Sequence, residues 1–236
     1  MSIIYMVRHG QASFGKPDYD VLSETGFKQA RVLAGYLMKI GMTFDAVYSG
    51  ELARQRDTAL TVVAAYRESG IDLPEPSILS EFNEYDSGNV FSTYIYELAQ
   101  EDPVMREDLK KIYTDRRAFE RLFEKVIQRW VSGKHLRPGM PKWEDFKAKV
   151  TGGIRQVMAE NGRKKKIIIF SSGGTISAVI NMALGIPNEQ TMRLAAMVVN
   201  TAVTTFLYNA DRFSMSSFNS IAHLALENGG GLVTYR

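Results

Sequence analysis

The sequence predicts an α/β fold: a three-layer sandwich with a mostly parallel central sheet, helices on both faces and a helical insertion over one end of the sheet. Three observations predict it. Short apolar runs alternate with longer stretches of helical period, in the order strand, helix, strand, helix. The first run, Ile3-Ile4-Tyr5-Met6-Val7, is continuously apolar, as suits a strand buried on both faces. The chain has 236 residues, 45% hydrophobic and 23% charged, enough for one large domain with a substantial core.

After that strand comes a loop with Gly10, Gly15 and Pro17. Ser23 is a good N-cap, and Phe27, Ala30, Leu33, Ala34, Leu37 and Ile40 recur at helical spacing until Gly41. Phe44 to Tyr48 reads as a second strand, and Ser49 is expected to cap a helix whose apolar positions include Leu52, Ala59, Leu60, Val63 and Ala64. From about residue 88 to 142 the pattern is charged and helical, punctuated by Pro103, Pro138 and Pro141. Its expected inward positions are Tyr94, Leu98, Leu109, Ile112, Phe119, Leu122, Phe123 and Val126. A helix from Trp143 to Asn161 leads to a strand from Lys166 to Phe170. Gly173-Gly174 opens a helix that reaches Leu184, stopped by Gly185 and Pro187. Val198-Val199 and Thr204 to Tyr208 read as late strands. No linker divides the chain, so residues 1–236 read as a single domain with the insertion at about 88–142.

Composition removes whole classes of chemistry. There is no cysteine, hence no disulfide, cysteine-held metal or thiol nucleophile. Three scattered histidines, His9, His135 and His223, argue against a metal site, and no cofactor is expected. A formal charge of +3 suits an anion pocket better than a nucleic-acid footprint. No apolar run approaches the ~20 residues of a membrane span. The expected setting is cytoplasmic, with no membrane or nucleic-acid partner; a homodimer is compatible with the sequence but written in no pattern.

The informative feature is Arg8-His9-Gly10, directly after the first strand. The carboxyl ends of parallel strands are where α/β folds gather ligands. An arginine beside the histidine supplies a donor fork matched to phosphate oxygens, and Gly10 lets the backbone turn sharply. Elsewhere, Ser172 fails the nucleophile-elbow spacing, because Phe170 stands where that motif needs glycine, and Gly173-Gly174 fails the dinucleotide fingerprint.

Val7-Arg8-His9-Gly10-Gln11 resembles the signature of the histidine phosphatase superfamily, the phosphoglycerate-mutase-like proteins. Leu22 to Ala30 resembles that family's Leu-Thr/Ser-x-x-Gly-x-x-Gln-Ala segment. Tyr48 to Arg54 with Thr58-Ala59 is similar to its Ser-x-x-Leu-x-Arg…Thr-Ala segment, and Leu79-Ser80-Glu81 to its Leu-x-Glu segment. Ile167 to Phe170 followed by Gly173-Gly174-Thr175 resembles the strand and turn that bear the second family histidine. These motifs come in the family's order across residues 3–181.

The resemblance implies a metal-independent phosphatase acting on a small phosphorylated substrate, with the insertion over the active site. His9 would form a phosphohistidine, Arg8 and Arg54 would hold the phosphoryl oxygens, and Glu81 would serve as general acid, with Glu84 its rival. Ser172 stands where the family has its second histidine. It can donate one hydrogen bond but no charge, a difference on the order of 2–4 kcal/mol at the transition state. The amino end of a helix starting near Gly173 offers partial compensation. Gly15 stands where many relatives carry Asn, leaving Gln11 and Ser13 as polar contacts. His223 is expected to be structural, and His135 an exposed polar residue. The alternatives are a phosphoglycerate mutase, against which the missing cationic histidine weighs, and a weakly active phospho-ligand-binding protein.

Overall fold

Ile4 and Met6 fall on one side of the first strand and Tyr5 and Val7 on the other, and each side meets its own apolar cluster. The computed structural model describes residues 1–13, 20–134, 136–227 and 231–235. In chain order it contains β1 (Ser2–Arg8), α1 (Glu24–Lys39), β2 (Ala46–Ser49), α2 (Ala53–Glu68), β3 (Ser77–Ile78) and a 3-10 turn (Ser80–Phe82). Then come α3 (Ser87–Glu101), α4 (Pro103–Lys110), α5 (Arg116–Ser132), α6 (Trp143–Asn161), β4 (Lys166–Ser171) and α7 (Gly173–Leu184). The order ends with α8 (Asn188–Met197), β5 (Val203–Tyr208), β6 (Phe213–Ser220) and α9 (Ala222–Ala225).

Among the described residues the sheet order is β3-β2-β4-β1-β5-β6. The first four strands are parallel and the last two antiparallel, so the sheet is mixed, with its parallel part around the site. β1 lies at the centre, Ile3 opposite Lys166 through Arg8 opposite Ser171. This register brings the ends of β1 and β4 level, so that His9 and Ser172 leave the sheet together.

The same alternation runs through β4. Ile167 and Ile169 join the cluster with Phe82, Tyr94, Trp130 and Trp143, while Ile168 and Phe170 meet Leu33, Ala34, Val62 and Val63 of α1 and α2. All four β4 side chains are essentially unexposed, and burying each contributes about 1.5–3 kcal/mol. Ser23 caps α1 as expected, accepting from Gly26 N. Between residues 87 and 132 lie α3, α4 and α5. Tyr94, Leu122 and Val126 are fully buried, while Leu98, Leu109, Ile112, Phe119 and Phe123 are half-buried.

Two expectations change. Ser49 ends β2 instead of capping α2, whose first amides are satisfied by Asp20: Ala53 N donates to Asp20 Oδ2 at 2.8 Å. Val198-Val199 is not a strand, because Val199 N donates to the Asn219 side chain at 2.8 Å instead of joining a ladder. α8 and β6, for which the sequence carries no clear pattern, complete this half of the molecule.

Candidate active site

β1 delivers Arg8 and His9 to the carboxyl end of the sheet, and the backbone there is held from several sides. His9 N donates to Ser171 O at 2.8 Å, Thr201 N to Arg8 O at 2.9 Å, and Asn200 Nδ2 to His9 O at 3.0 Å. Gly10 N donates to Thr58 Oγ1 at 3.0 Å, and that hydroxyl donates to Arg54 O at 2.7 Å. A side chain at residue 10 is impossible, since its Cβ would stand 2.5 Å from Gly26 O. The loop after β1 is therefore pressed onto the first turn of α1.

These contacts fix the imidazole's proton. His9 is 3% exposed; its Nδ1 lies 2.7 Å from Gly10 O, an acceptor only, while Arg54 Nε donates to its Nε2 at 3.2 Å. The proton sits on Nδ1 and Nε2 presents a lone pair. Burial, then the Arg8 and Arg54 charges, hold the pKa well below the usual imidazole range, only partly opposed by the Gly10 carbonyl. His9 is thus neutral at pH 7, with its unprotonated nitrogen facing a guanidinium.

Arg54 comes from the first turn of α2 and is positioned by Asp20, whose Oδ1 accepts from Nη1 at 2.6 Å. The same carboxylate takes the first α2 amide, so one residue fixes the helix end and the arginine. Arg8 donates from Nη1 to Val198 O. Ser172 is 1% exposed, and its Oγ accepts from Gln55 Nε2 at 2.8 Å. Gly173 opens α7, whose next amide, Gly174 N, donates to Glu84 Oε2 at 3.0 Å.

The two acidic candidates part company. Glu81 lies in the 3-10 turn with its stem against Gly153 of α6: a Cβ added there would stand 2.5 Å from Glu81 Cβ. Glu84 instead sends its carboxyl to the amino end of α7, so close that a Cβ on Gly174 would come within 2.2 Å of Oε1. Glu84 as a whole is half-buried, but protein encloses its carboxyl. Burial raises the pKa, against the Gly174 amide, Arg54, the Tyr85 amide and Arg8. Its neighbour Tyr85 anchors the turn, 4.7 Å ring to ring from Trp130 and 5.7 Å from Phe146. The Glu84 carboxyl is in electrostatic reach of both arginines.

Of the other expected contacts, Gln11 turns to the cap of α1: its Oε1 accepts from Ser23 Oγ at 2.9 Å and its N donates to Gln29 Oε1 at 2.8 Å. Ser13 is buried, with its N donating to Val21 O at 2.8 Å. His223 is buried, with Nε2 2.9 Å from Thr201 Oγ1, and burial pushes its pKa down to about 4. Gly15 and His135 lie outside the described residues. Asp20, Gln55 and Asn200 escape the sequence reading, since each acts across a gap of at least 34 residues, which no local pattern signals, while Thr58 falls in a motif whose local role the spacing does not tell. Among the described residues no group of three or more His, Asp or Glu side chains is placed to hold a metal ion, and no helix is long and apolar enough to cross a membrane.

Fold and site define an α/β protein with a neutral, buried histidine at the end of its central parallel strand, held by arginine, and an enclosed carboxyl within reach of the same arginines. The chain matches the histidine phosphatase superfamily (branch 1) over residues 4–118 and 113–221, and it belongs to that family. It is similar to a broad-specificity phosphatase of Saccharomyces cerevisiae, 26% identical over 232 residues, covering 94% of this chain and 86% of that protein. It is also similar to a 2,3-bisphosphoglycerate-dependent phosphoglycerate mutase of Rhizobium etli, 27% identical over 76% of this chain and 78% of that one. In fold it resembles the phosphoserine phosphatase of Entamoeba histolytica solved with 3-phosphoglyceric acid. The TM-score is 0.64, at 19% identity over 95% of this chain and all of that one.

Proposed function

We propose that this protein is a metal-independent phosphatase that hydrolyses a small phosphate monoester through a phosphohistidine on His9. The observation that carries the reading is the fixed tautomer. A neutral imidazole with its proton committed to Gly10 O and its Nε2 lone pair turned toward Arg54 is a nucleophile in its reactive state.

In the first step the phosphoryl oxygens take the Arg54 and Arg8 donors, and Arg54 Nε–H moves from Nε2 to an ester oxygen. Nε2 bonds to phosphorus as the bond to the ester oxygen breaks. Glu84, whose raised pKa favours the protonated form, gives its proton to the leaving alkoxide. In the second step the Glu84 carboxylate accepts a proton from water, the oxygen adds to phosphorus and the P–N bond breaks. Inorganic phosphate leaves and both groups return to their starting state. Ser172 Oγ and the amino end of α7 add neutral donors for the phosphoryl group.

The similarity to both a phosphatase and a mutase makes product analysis the decisive test. Phosphorylated metabolites, phosphoglycerates among them, are incubated with the purified protein. Released phosphate and isomerised phosphoglycerate are measured separately. Phosphate release without isomerisation is the expected result; isomerisation as the main product overturns it in favour of a mutase, and neither product leaves a phospho-ligand-binding role.

A further inference from the structure

Gln55 is fully buried beside the site, and its side-chain amide has one orientation compatible with its neighbours. Nε2 lies 3.0 Å from Phe82 O, a carbonyl that can only accept, so the nitrogen must face that oxygen. The same nitrogen lies 2.8 Å from Ser172 Oγ, and its second hydrogen is directed there. Ser172 Oγ is therefore an acceptor toward Gln55, and its own hydrogen must point elsewhere. Among the described residues nothing accepts that hydrogen. Ser172 lies between the carbonyl of Ser171, which holds His9 N, and the amide of Gly174, which holds Glu84.

A second observation is independent of the first. Gln55 Oε1 is buried and meets no donor among the described residues. A buried unmatched acceptor costs about 1–3 kcal/mol, a cost that an apolar side chain of similar shape would not carry. Stability alone does not account for an amide at this position.

Resting on the phosphatase reading above, we propose that Gln55 is a positioning residue that locks the Ser172 hydroxyl as a donor to the phosphoryl group. By accepting from Gln55, Ser172 is left a single task for its proton. Gln55 thus acts through Ser172, without touching substrate.

The test is a double-mutant cycle with Gln55→Leu, Ser172→Ala and the pair, in the full chain. Three readouts are taken: kcat/KM on p-nitrophenyl phosphate, the Kd of inorganic phosphate by calorimetry, and the thermal midpoint. Gln55→Leu is expected to lower kcat/KM about tenfold and weaken phosphate about fivefold, with an equal or higher midpoint. In the Ser172→Ala background it should change either by less than about twofold. Gln55→Glu, tested at a pH where it is ionised, should reverse the arrangement by drawing the serine proton to itself, and act like Ser172→Ala. Independent effects of the two single changes overturn the proposal, as do unchanged activity in Gln55→Leu and a wild type that binds no phosphate. If phosphate binding shows the coupling while wild type hydrolyses no ester, the positioning role stands and the phosphatase reading falls.

Discussion

Replacing Glu84 with glutamine separates the proton from the shape of the site. The carboxyl accepts from Gly174 N at 3.0 Å and Tyr85 N at 3.2 Å. A glutamine oxygen can keep the first of these bonds, and the loss of the second costs about 1 kcal/mol of stability. What the amide cannot do is protonate a leaving alkoxide. General acid catalysis contributes about 10²–10⁴-fold, or about 3–5 kcal/mol of activation free energy, so the catalytic loss exceeds the structural one. The assay compares two esters across pH. An alkyl phosphate, whose alkoxide needs the proton, should lose the full factor. p-Nitrophenyl phosphate, whose leaving group is stable as an anion, should lose much less. Because the Glu84 pKa lies above the ordinary carboxylate value, wild-type turnover of the alkyl ester should fall as pH rises through it, and Glu84→Gln should lose that limb. Glu81→Gln should stay within about twofold of wild type, since its stem faces Gly153. Loss of activity in Glu81→Gln with a normal Glu84→Gln enzyme would refute the assignment.

His9→Ala should abolish turnover and leave the thermal midpoint within a few degrees; measurable activity in a folded mutant would remove His9 from the nucleophile role. EDTA should leave the rate on p-nitrophenyl phosphate unchanged, and a strict metal requirement would contradict the mechanism. The His223 pKa of about 4 lies below the 6.5 of a free imidazole, so its contribution to stability is complete above pH 6.5 and is lost as pH falls toward 4. That gap corresponds to about 3 kcal/mol, and His223→Gln should flatten the urea midpoint across this window by a comparable amount. Ser172→His should be destabilising alone, because Gln55 Nε2 already lies 2.8 Å from Oγ, and tolerated with Gln55→Ala; equal thermal midpoints for the two would count against this account of the packing.

Local chemistry made much of this molecule legible. The Ser23 cap, the helix from Trp143 to Asn161 and the turn at Gly173 are written in neighbouring residues, and the structure has them where periodicity and capping require. The parts that escaped are imposed from a distance. β6, Phe213 to Ser220, has no β-branched residue and becomes a strand because β5 offers it a ladder. α8 follows Pro187, which reads as a stop but sits at the N-cap, where proline is tolerated. In the site, Arg8 and His9 are legible because a strand end and a signature coincide. Motif spacing alone does not decide between Glu81 and Glu84, because it fixes sequence position and not the direction a turn gives each side chain. Asp20 and Gln55 are invisible without the fold, because their roles exist only where α2 meets the ends of β1 and β4.

The ties around His9 also have a temporal side. Asn200 holds the His9 carbonyl and itself receives the Thr234 hydroxyl at 2.9 Å, while Gln29 reaches Leu232 O at 2.7 Å and Thr234 Oγ1 at 2.8 Å. A ribosome makes His9 long before Thr234. Throughout that interval the nascent chain carries the imidazole without the groups that fix the backbone beneath it. The backbone around His9 is complete only when the 232–234 segment docks, so the site is finished by residues far downstream of the strand that carries it.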